Sequence, residues 1–164
     1  MDLELAGKRA LVTGSYRGTG AGVARVLARE GASVLVHGFE QAPAEAVAAS
    51  IRAQGLDARA VAGDIRTDEG ARAVADACGE IDVLVNNYGV AEGGGWDASP
   101  PEDWIDSYEK NVLSGVRMAT RLVPAMREAG WGRVVFVSTV GATRPGDRLP
   151  HYYAAKGALP SVTV

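Results

Sequence analysis

The chain has 164 residues, of which 47% are hydrophobic and 23% are charged, as in a globular domain with a sizeable core. Its net charge of -3 and its lack of a long apolar run exclude a basic nucleic-acid surface and a membrane span. The short acidic start and the single cysteine, Cys78, predict a cytoplasmic protein without an internal disulfide. We therefore expect neither a nucleic acid nor a membrane as the partner.

Short apolar runs alternate with helical patterns along the chain. The predicted strands cover residues 9–13, 33–37, 58–62, 83–86 and 133–138, and the predicted helices cover 20–30, 43–54, 68–78 and 101–129, with a further helix from near His151. The strands are apolar along their length, which is typical of parallel strands covered on both faces. The alternation predicts one Rossmann-like α/β domain over residues 1–164, a doubly wound parallel sheet with helices on both faces.

The first predicted strand runs directly into a glycine-rich stretch, Thr-Gly-Ser-Tyr-Arg-Gly-Thr-Gly, at residues 13–20. Gly14 can adopt backbone angles that other residues avoid, and Gly18 and Gly20 let the main chain approach a pyrophosphate. The helix that follows presents free N–H groups and a partial positive charge at its start. The spacing differs from the usual G-x-G-x-x-G fingerprint, but its position after a first strand indicates a nucleotide site.

A second pattern, Tyr152 with Lys156 four residues later, lies near the end of the chain. On a helix the two side chains share a face, and an ammonium near a phenol lowers the tyrosine pKa, which suits proton transfer. Ser138 ends the fifth predicted strand, where such sheets place ligand-contacting groups. The alternative interpretations are that Tyr152 and Lys156 lie on an amphipathic surface helix without a catalytic role, and that Ser138 merely ends a strand.

Together these motifs resemble the short-chain dehydrogenase/reductase family, in particular its 3-oxoacyl-[acyl-carrier-protein] reductase-like members. The resemblance covers residues 5–164 and rests on the glycine-rich loop, Asp64-Ile65, Asn-Asn-Tyr-Gly at 86–89, the Asn111 helix, Ser138, and Tyr152 with Lys156. It implies an enzyme that transfers hydride between NADP(H) or NAD(H) and a ketone or secondary alcohol. It also implies a homodimer or homotetramer, as relatives commonly form.

The resemblance implies a role for each matched residue. Tyr152 is the expected general acid and base, Lys156 lowers its pKa and bonds the nicotinamide ribose, Ser138 orients the carbonyl, and Asn111 supports proton relay. The expected cofactor contacts are Gly14, Ser15, Arg17, Gly18, Thr19, Gly20, Asp64, Ile65, Asn87, Gly89, Tyr152 and Lys156. No metal site is expected. Tyr153 competes with Tyr152, and the family spacing favours Tyr152.

The choice of dinucleotide depends on the end of the second predicted strand. Gly38 stands where the resemblance places an Asp that binds the ribose 2′-OH of NAD. Arg17 is available for a 2′-phosphate, so NADP(H) is favoured over NAD(H). Phe39 stands where many phosphate-preferring relatives carry an arginine, and Glu40 offers a carboxylate to the ribose, which leaves NAD(H) as the alternative.

Two departures from the family pattern affect the function. Tyr88 replaces the alanine of Asn-Asn-Ala-Gly, so its ring must point away from the dinucleotide or reshape its adenosine side. The chain ends soon after Lys156, without the last strands and substrate loop of relatives. The fold is therefore expected to be C-terminally incomplete, with the fifth strand as a sheet edge and with Pro160 bending or stopping the last helix.

Three explanations fit the short C-terminal region: the chain is part of a longer protein, it is a truncated product, or an oligomeric partner completes the fold. The first is favoured, because every expected catalytic residue is present. The substrate is not predictable from these residues. The alternative function is a non-catalytic dinucleotide-binding module that senses redox state or regulates a partner.

Overall fold

Five short parallel strands form the centre of the fold. The computed structural model describes residues 3–163. The strands are β1 Arg9–Val12, β2 Ser33–Gly38, β3 Ala58–Ala62, β4 Val83–Asn86 and β5 Arg133–Phe136. Their order in the sheet is β3-β2-β1-β4-β5, so the strand order reverses between β1 and β4. In such sheets ligands bind beyond the carboxyl ends of the strands at this reversal.

Helices cover both faces of the sheet, which confirms the predicted α/β class. They are α1 Gly18–Arg29, α2 Gln41–Arg52, α3 Asp68–Cys78, α4 Pro101–Tyr108, α5 Ser114–Glu128, α6 Pro150–Gly157 and α7 Leu159–Val162. The predicted bounds of α3 are correct, and those of α1 and α2 differ by one or two residues. The glycines that follow three of the helices, Gly31, Gly55 and Gly130, have the positive φ of helix C-terminal caps.

The alternation of side chains along each buried strand separates two apolar layers. Val34 and Val36 of β2 pack with the alanine-rich faces of α1 and α2. Leu35, between them, faces the opposite side and packs with Leu84 and Met118 in the layer under α3 and α5. Both faces are buried, so the strands read as continuous apolar runs.

The helix predicted over residues 101–129 is interrupted. A π-helical turn, Glu109–Leu113, separates α4 from α5, and Asn111 lies within it. Ser114 follows the turn, and its hydroxyl donates a hydrogen bond to the carbonyl of Lys110 at 2.8 Å. Single π turns of this kind are frequent at functional sites, and the hydrophobic period alone does not reveal them.

Within the described residues β5 is the last strand in the sheet order, and it lies at the edge as predicted. In the described part of the chain β5 pairs with β4 alone, and Val134 and Val135 are exposed. A largely apolar cavity of about 490 Å³ lies between this strand, α5 and α7. Pro160 interrupts the last helix as predicted, because α6 ends at Gly157 and Pro160 lies in the first turn of α7. No helix within residues 3–163 is long and apolar enough to cross a membrane.

The backbone of Gly70, at the start of α3, lies so close to that of Asp64 that a substitution at Gly70 tests the fold. A Cβ at Gly70 would overlap the carbonyl oxygen of Asp64, whereas a Cβ at Gly22 would meet nothing within 4 Å. We expect Gly70→Ala to lower the free energy of unfolding by about 1–3 kcal/mol, since backbone must move. Gly22→Ala should raise it by about 0.5–1 kcal/mol, because alanine is the better helix former. Urea unfolding measures both, and similar effects from the two variants would contradict the close approach.

Candidate active site

A cavity of about 350 Å³ lies at the carboxyl ends of β1, β4 and β5. The glycine-rich loop and the start of α1 form one side, and the segment after β5 together with α6 forms the other. Its lining residues are Gly14, Arg17, Gly18, Thr19, Gly20, Asn87, Gly89, Val137, Ser138, Thr139, Tyr152 and Lys156. Most of the residues predicted from the sequence thus surround one space, and Val137 and Thr139 are additions that the sequence did not indicate.

The glycine-rich loop has the shape that a phosphate-bearing ligand requires. Gly14 and Gly18 have φ values of 62° and 54°, in the left-handed region. A Cβ at Gly20 would lie 2.5 Å from Nδ2 of Asn87 and 2.7 Å from the carbonyl oxygen of Gly14. The side chain of Arg17 does not cap α1. The first N–H groups of α1 therefore face the cavity as donors for an anion, and the loop fits a dinucleotide pyrophosphate.

Asn87 joins the glycine-rich loop to the end of β4. Its Nδ2 donates hydrogen bonds to the carbonyls of Thr13 at 2.9 Å and Gly14 at 3.3 Å. The hydroxyl of Thr13 accepts from the backbone N–H groups of Asn87 and Tyr88, both at 3.1 Å. These bonds hold the two loops in contact, so Asn87 has a structural part in shaping the cavity.

Lys156 is buried and lies beside the loop after β4. Its Nζ donates a hydrogen bond to the carbonyl of Val137 at 2.9 Å. A Cβ at Gly89 would lie 2.8 Å from this Nζ and 2.6 Å from Oδ1 of Asn111, so a larger residue here would displace these side chains. Burial lowers the pKa of Lys156 to about 8.

Tyr152 is half-buried and lines the same cavity, whereas Tyr153 does not line it. The ring of Tyr153 packs over Gly141 and lines a separate cavity of about 220 Å³ that Trp96 also lines. Burial raises the pKa of Tyr152, with a smaller contribution from Tyr153. The pKa of Tyr152 shows no contribution from Lys156, whose ammonium donates to the Val137 carbonyl, so the expected lowering of this pKa stays a prediction.

Ser138 and Asn111 occupy different positions relative to the cavity. Ser138 lines it, and its Oγ donates to the carbonyl of Lys156 at 3.2 Å. Asn111 is buried and lies beside the cavity, behind Gly89. Its Oδ1 accepts from the N–H of Val90 at 2.9 Å, and its Nδ2 donates to the carbonyls of Val90 and Ser107 at 3.0 and 2.9 Å. Asn111 therefore fixes the loop that carries Gly89.

Two predicted cofactor contacts are corrected by the structure. The side chains of Ser15 and Ile65 have no exposed surface, so neither contacts a ligand. The hydroxyl of Ser15 donates to the carbonyl of Val12 at 2.6 Å, and Ile65 packs in the apolar layer under α3 and α5. Asp64 lies at the surface with its carboxylate paired to Arg66 through two bonds of 2.8 Å, and these bonds lower its pKa.

A second cavity, of about 440 Å³, adjoins the first and shares Gly14, Arg17, Asn87 and Gly89 with it. Its other lining residues are Tyr16, Phe39, Arg66, Tyr88, Val90, Ala91, Glu92 and Lys110. The ring of Tyr88 packs against Phe39 with centroids 5.0 Å apart, and the guanidinium of Arg66 lies 4.8 Å from the Phe39 centroid. Tyr88 therefore forms part of the wall of this second cavity. Phe39 and Tyr88 are 49 positions apart, so the sequence does not reveal their contact.

Comparison with known proteins places this geometry among oxidoreductases. A family profile described as short chain dehydrogenase matches residues 8–164. The uncharacterized oxidoreductase YvaG of Bacillus subtilis is 37% identical over 158 residues, which cover 95% of this chain and 60% of that protein.

Two solved structures are similar over nearly the whole chain. L-sorbose reductase from Gluconobacter frateurii, complexed with NADPH and L-sorbose, has a TM-score of 0.92 at 32% identity, covering 99% of this chain and 64% of that one. A 7α-hydroxysteroid dehydrogenase complexed with NADH and 7-oxo glycochenodeoxycholic acid has a TM-score of 0.92 at 30% identity, covering 98% and 64%. The chain thus spans less than two thirds of the length of these proteins.

The buried Lys156 generates a pH-dependent prediction. Between pH 8 and its ordinary pKa of 10.5, the unfolded chain retains the Lys156 proton and the folded chain does not, so stability rises with pH. Relative to Lys156→Met, the wild type should gain up to about 3 kcal/mol across this range, at about 1.4 kcal/mol for each pKa unit.

The matched control is Lys110→Met. Carboxylates of Asp106 and Glu92 raise the pKa of Lys110, so the stability gap between this variant and the wild type should stay constant between pH 8 and 10. Urea unfolding at a series of pH values measures both gaps. A constant gap for Lys156→Met would show that the lysine is not held in a desolvated position.

Proposed function

The chain belongs to the short-chain dehydrogenase family, and on that premise we propose that it transfers hydride between NADP(H) and a small-molecule ketone or secondary alcohol. The observation that carries the proposal is the single cavity in which the glycine-rich loop faces Ser138, Tyr152 and Lys156. A site for a dinucleotide phosphate and a set of proton-handling groups therefore share one space, as hydride transfer requires.

The two adjoining cavities divide the dinucleotide between them. The glycine-rich loop and the start of α1 would hold the pyrophosphate, and the second cavity, with Phe39 and Tyr88, would hold the adenosine half. Lys156 and Tyr152 would contact the nicotinamide ribose. When bound, the nicotinamide supplies the hydride, and the residues of this chain manage the proton.

Tyr152 would act as the general acid in carbonyl reduction. Because burial raises its pKa, the phenol keeps its proton at neutral pH and is ready to donate it to the developing alkoxide. Ser138, exposed at the same cavity, would turn its hydroxyl from the Lys156 carbonyl to donate a hydrogen bond to the same oxygen and polarise the carbonyl. Oxidation of an alcohol requires the phenolate, so it should need a more alkaline pH than reduction.

Lys156 and Asn111 would support this proton transfer. At neutral pH, below its pKa of about 8, Lys156 carries a positive charge, and the Val137 carbonyl holds that charge in place. The charge stabilises anionic groups in the cavity, and it would lower the pKa of Tyr152 wherever the ammonium turns toward the phenol. Asn111, fixed by Val90 and Ser107, would position a water between Lys156 and solvent for proton relay.

NADP(H) is the proposed dinucleotide. Arg17 lines both cavities, the carboxylate of Asp64 is paired with Arg66, and that of Glu92 is paired with Lys110. Gly38 leaves no carboxylate at the end of β2. These charges favour an extra phosphate on the ribose, whereas NAD(H) would be preferred if a free carboxylate met the ribose hydroxyls.

We further propose that residues 1–164 act as one dinucleotide-binding domain and that the protein forms a homodimer or homotetramer. The exposed side chains of Ile105 and Tyr108 on α4 support association through this helix, since large apolar groups on one helix face favour burial.

Replacement of Tyr152 tests the proposed chemistry. Tyr152→Phe removes the proton donor and should lower kcat for ketone reduction by about 10²–10⁴-fold, the usual contribution of general acid catalysis. Its affinity for NADP⁺ should stay within about threefold of wild type, because the ring is retained. Oxidation of NADPH with a panel of ketones measures kcat, and calorimetry measures binding.

Tyr153→Phe is the matched control, because Tyr153 lines a different cavity and should keep kcat near the wild-type value. If Tyr153→Phe is inactive and Tyr152→Phe is active, the assignment of the acid is wrong. A wild-type chain that binds NADP⁺ without turning over any ketone would favour the non-catalytic redox-sensing module.

Replacement of Arg17 tests the choice of dinucleotide. Arg17→Ala should weaken NADP⁺ binding about tenfold and leave NAD⁺ binding unchanged, because one charged contact with the 2′-phosphate is lost. Arg29→Ala, at the opposite end of α1, is the control and should leave both affinities unchanged. Equal weakening of NADP⁺ and NAD⁺ by Arg17→Ala would assign Arg17 to the pyrophosphate instead.

A further inference from the structure

His37, on β2, is a histidine that the proposed chemistry does not use. Its side chain has no exposed surface and lies between the glycine-rich loop after β1 and the residues that follow β3. A fully buried polar side chain must have its hydrogen bonds satisfied, and both nitrogens of this ring are bonded to backbone.

The backbone partners determine the tautomer of His37. Nδ1 lies 3.0 Å from the backbone nitrogen of Gly14, which can only donate, and Nε2 lies 3.0 Å from the carbonyl oxygen of Gly63, which can only accept. The ring must therefore be neutral, with Nδ1 as acceptor and the proton on Nε2.

The same residue holds the loop through its own backbone. The N–H of Ser15 donates to the carbonyl of His37, and the N–H of His37 donates to Oγ of Ser15, both at 2.9 Å. Gly14 is thus held in its left-handed conformation, with φ of 62°, between the ring of His37 and the Cα of Tyr88. The position of Gly14 in turn shapes both cavities, because it lines each of them.

Protonation of the ring would break this arrangement. An imidazolium donates at both nitrogens, so Nδ1–H would face the N–H of Gly14 and the hydrogen bond would be lost. Burial lowers the pKa of His37 from its ordinary 6.5, and Asp64, in the segment after β3, opposes the shift. Other charged or titratable groups also lie around this end of β2. They are Glu40 just after the strand, Tyr16 and Arg17 in the glycine-rich loop, Arg66 paired to Asp64, and Tyr88 beside Phe39.

We propose that His37 is a positioning residue that holds the glycine-rich loop in its dinucleotide-binding shape, and that protonation of its ring releases Gly14 and weakens dinucleotide binding. This inference rests on the proposed function, since the ligand is the same dinucleotide. It makes cofactor affinity sensitive to acid through a group that touches neither cofactor nor substrate.

Binding of NAD⁺, measured by calorimetry between about pH 5 and pH 8, tests the inference. NAD⁺ is the probe because the 2′-phosphate of NADP⁺ itself titrates near pH 6, as phosphate monoesters do. Because burial lowers the pKa of His37, the wild-type dissociation constant should start to rise only below the ordinary histidine pKa of 6.5. It should rise about tenfold once the ring is protonated, the cost of one hydrogen bond to a held loop.

Two variants separate the effect of protonating the His37 ring from the effect of its hydrogen bonds on the loop. His37→Gln keeps an acceptor and a donor and does not titrate here, so its affinity should be constant with pH within about twofold. His151→Gln removes the other histidine of the chain, which lies near Ser99, and should keep the wild-type pH dependence. The inference is overturned if wild-type NAD⁺ affinity is constant with pH, or if His37→Gln loses affinity with acid as the wild type does.

Nitrogen NMR of the two histidine rings provides a readout that needs no ligand. The His37 spectrum should show a bare Nδ1 and a protonated Nε2, and the protection factor of the Gly14 amide should fall as the ring titrates. If no dinucleotide binds at any pH, the proposed function fails. The Gly14 amide then decides separately whether His37 controls the loop, and an unchanged protection factor would overturn that control.

Discussion

The contact between the glycine-rich loop and the loop after β4 is the constraint on which the site depends. Gly20 lies so near Asn87 and the Gly14 carbonyl that any larger residue would separate the two loops. Thr13 and Asn87 close the contact with hydrogen bonds across β1 and β4, the strands between which the sheet order reverses. Both cavities lie against this contact, so its geometry determines what the carboxyl end of the sheet can bind.

Electrostatics gives the same region its preference for an anion. The start of α1 contributes backbone N–H groups, and Lys156 and Arg17 contribute positive charge at the cavity. The carboxylates of Asp64 and Glu92 are each paired with a cation, which removes most of their repulsion toward a phosphate. The positive potential at the cavity depends on these ion pairs and not on the overall charge, because the chain as a whole has a net charge of -3.

Burial has opposite consequences for the two titratable groups at the cavity. It lowers the pKa of Lys156 and raises that of Tyr152, since removal from water penalises the charged form of each. Both shifts favour the neutral forms, so they separate the two pKa values and leave the phenol protonated where Lys156 loses its proton. The π-helical turn contributes to this burial, because it places Asn111 against the loop that carries Gly89, next to Lys156.

Local pattern in the sequence determined the alternation of strands and helices, the glycine caps at Gly31 and Gly55, and the interruption of the last helix at Pro160. Each of these depends on hydrophobic period or on the backbone freedom of one residue, which the sequence states directly. The glycine-rich loop and the spacing of Tyr152 and Lys156 could be predicted for the same reason, because each is a local pattern of residues.

Tertiary structure alone decided which of these groups face the cavity and what their neighbours do to them. Ser15 and Ile65 lie within predicted motifs but are buried, because the Ser15 hydroxyl donates to the Val12 carbonyl and Ile65 packs in the apolar layer under α3 and α5. The direction of Lys156 depends on a carbonyl 19 residues away, and the raised pKa of Tyr152 depends on its burial. The pairing of Phe39 with Tyr88 likewise arises from parallel strands that end at one edge, a proximity that no local pattern encodes.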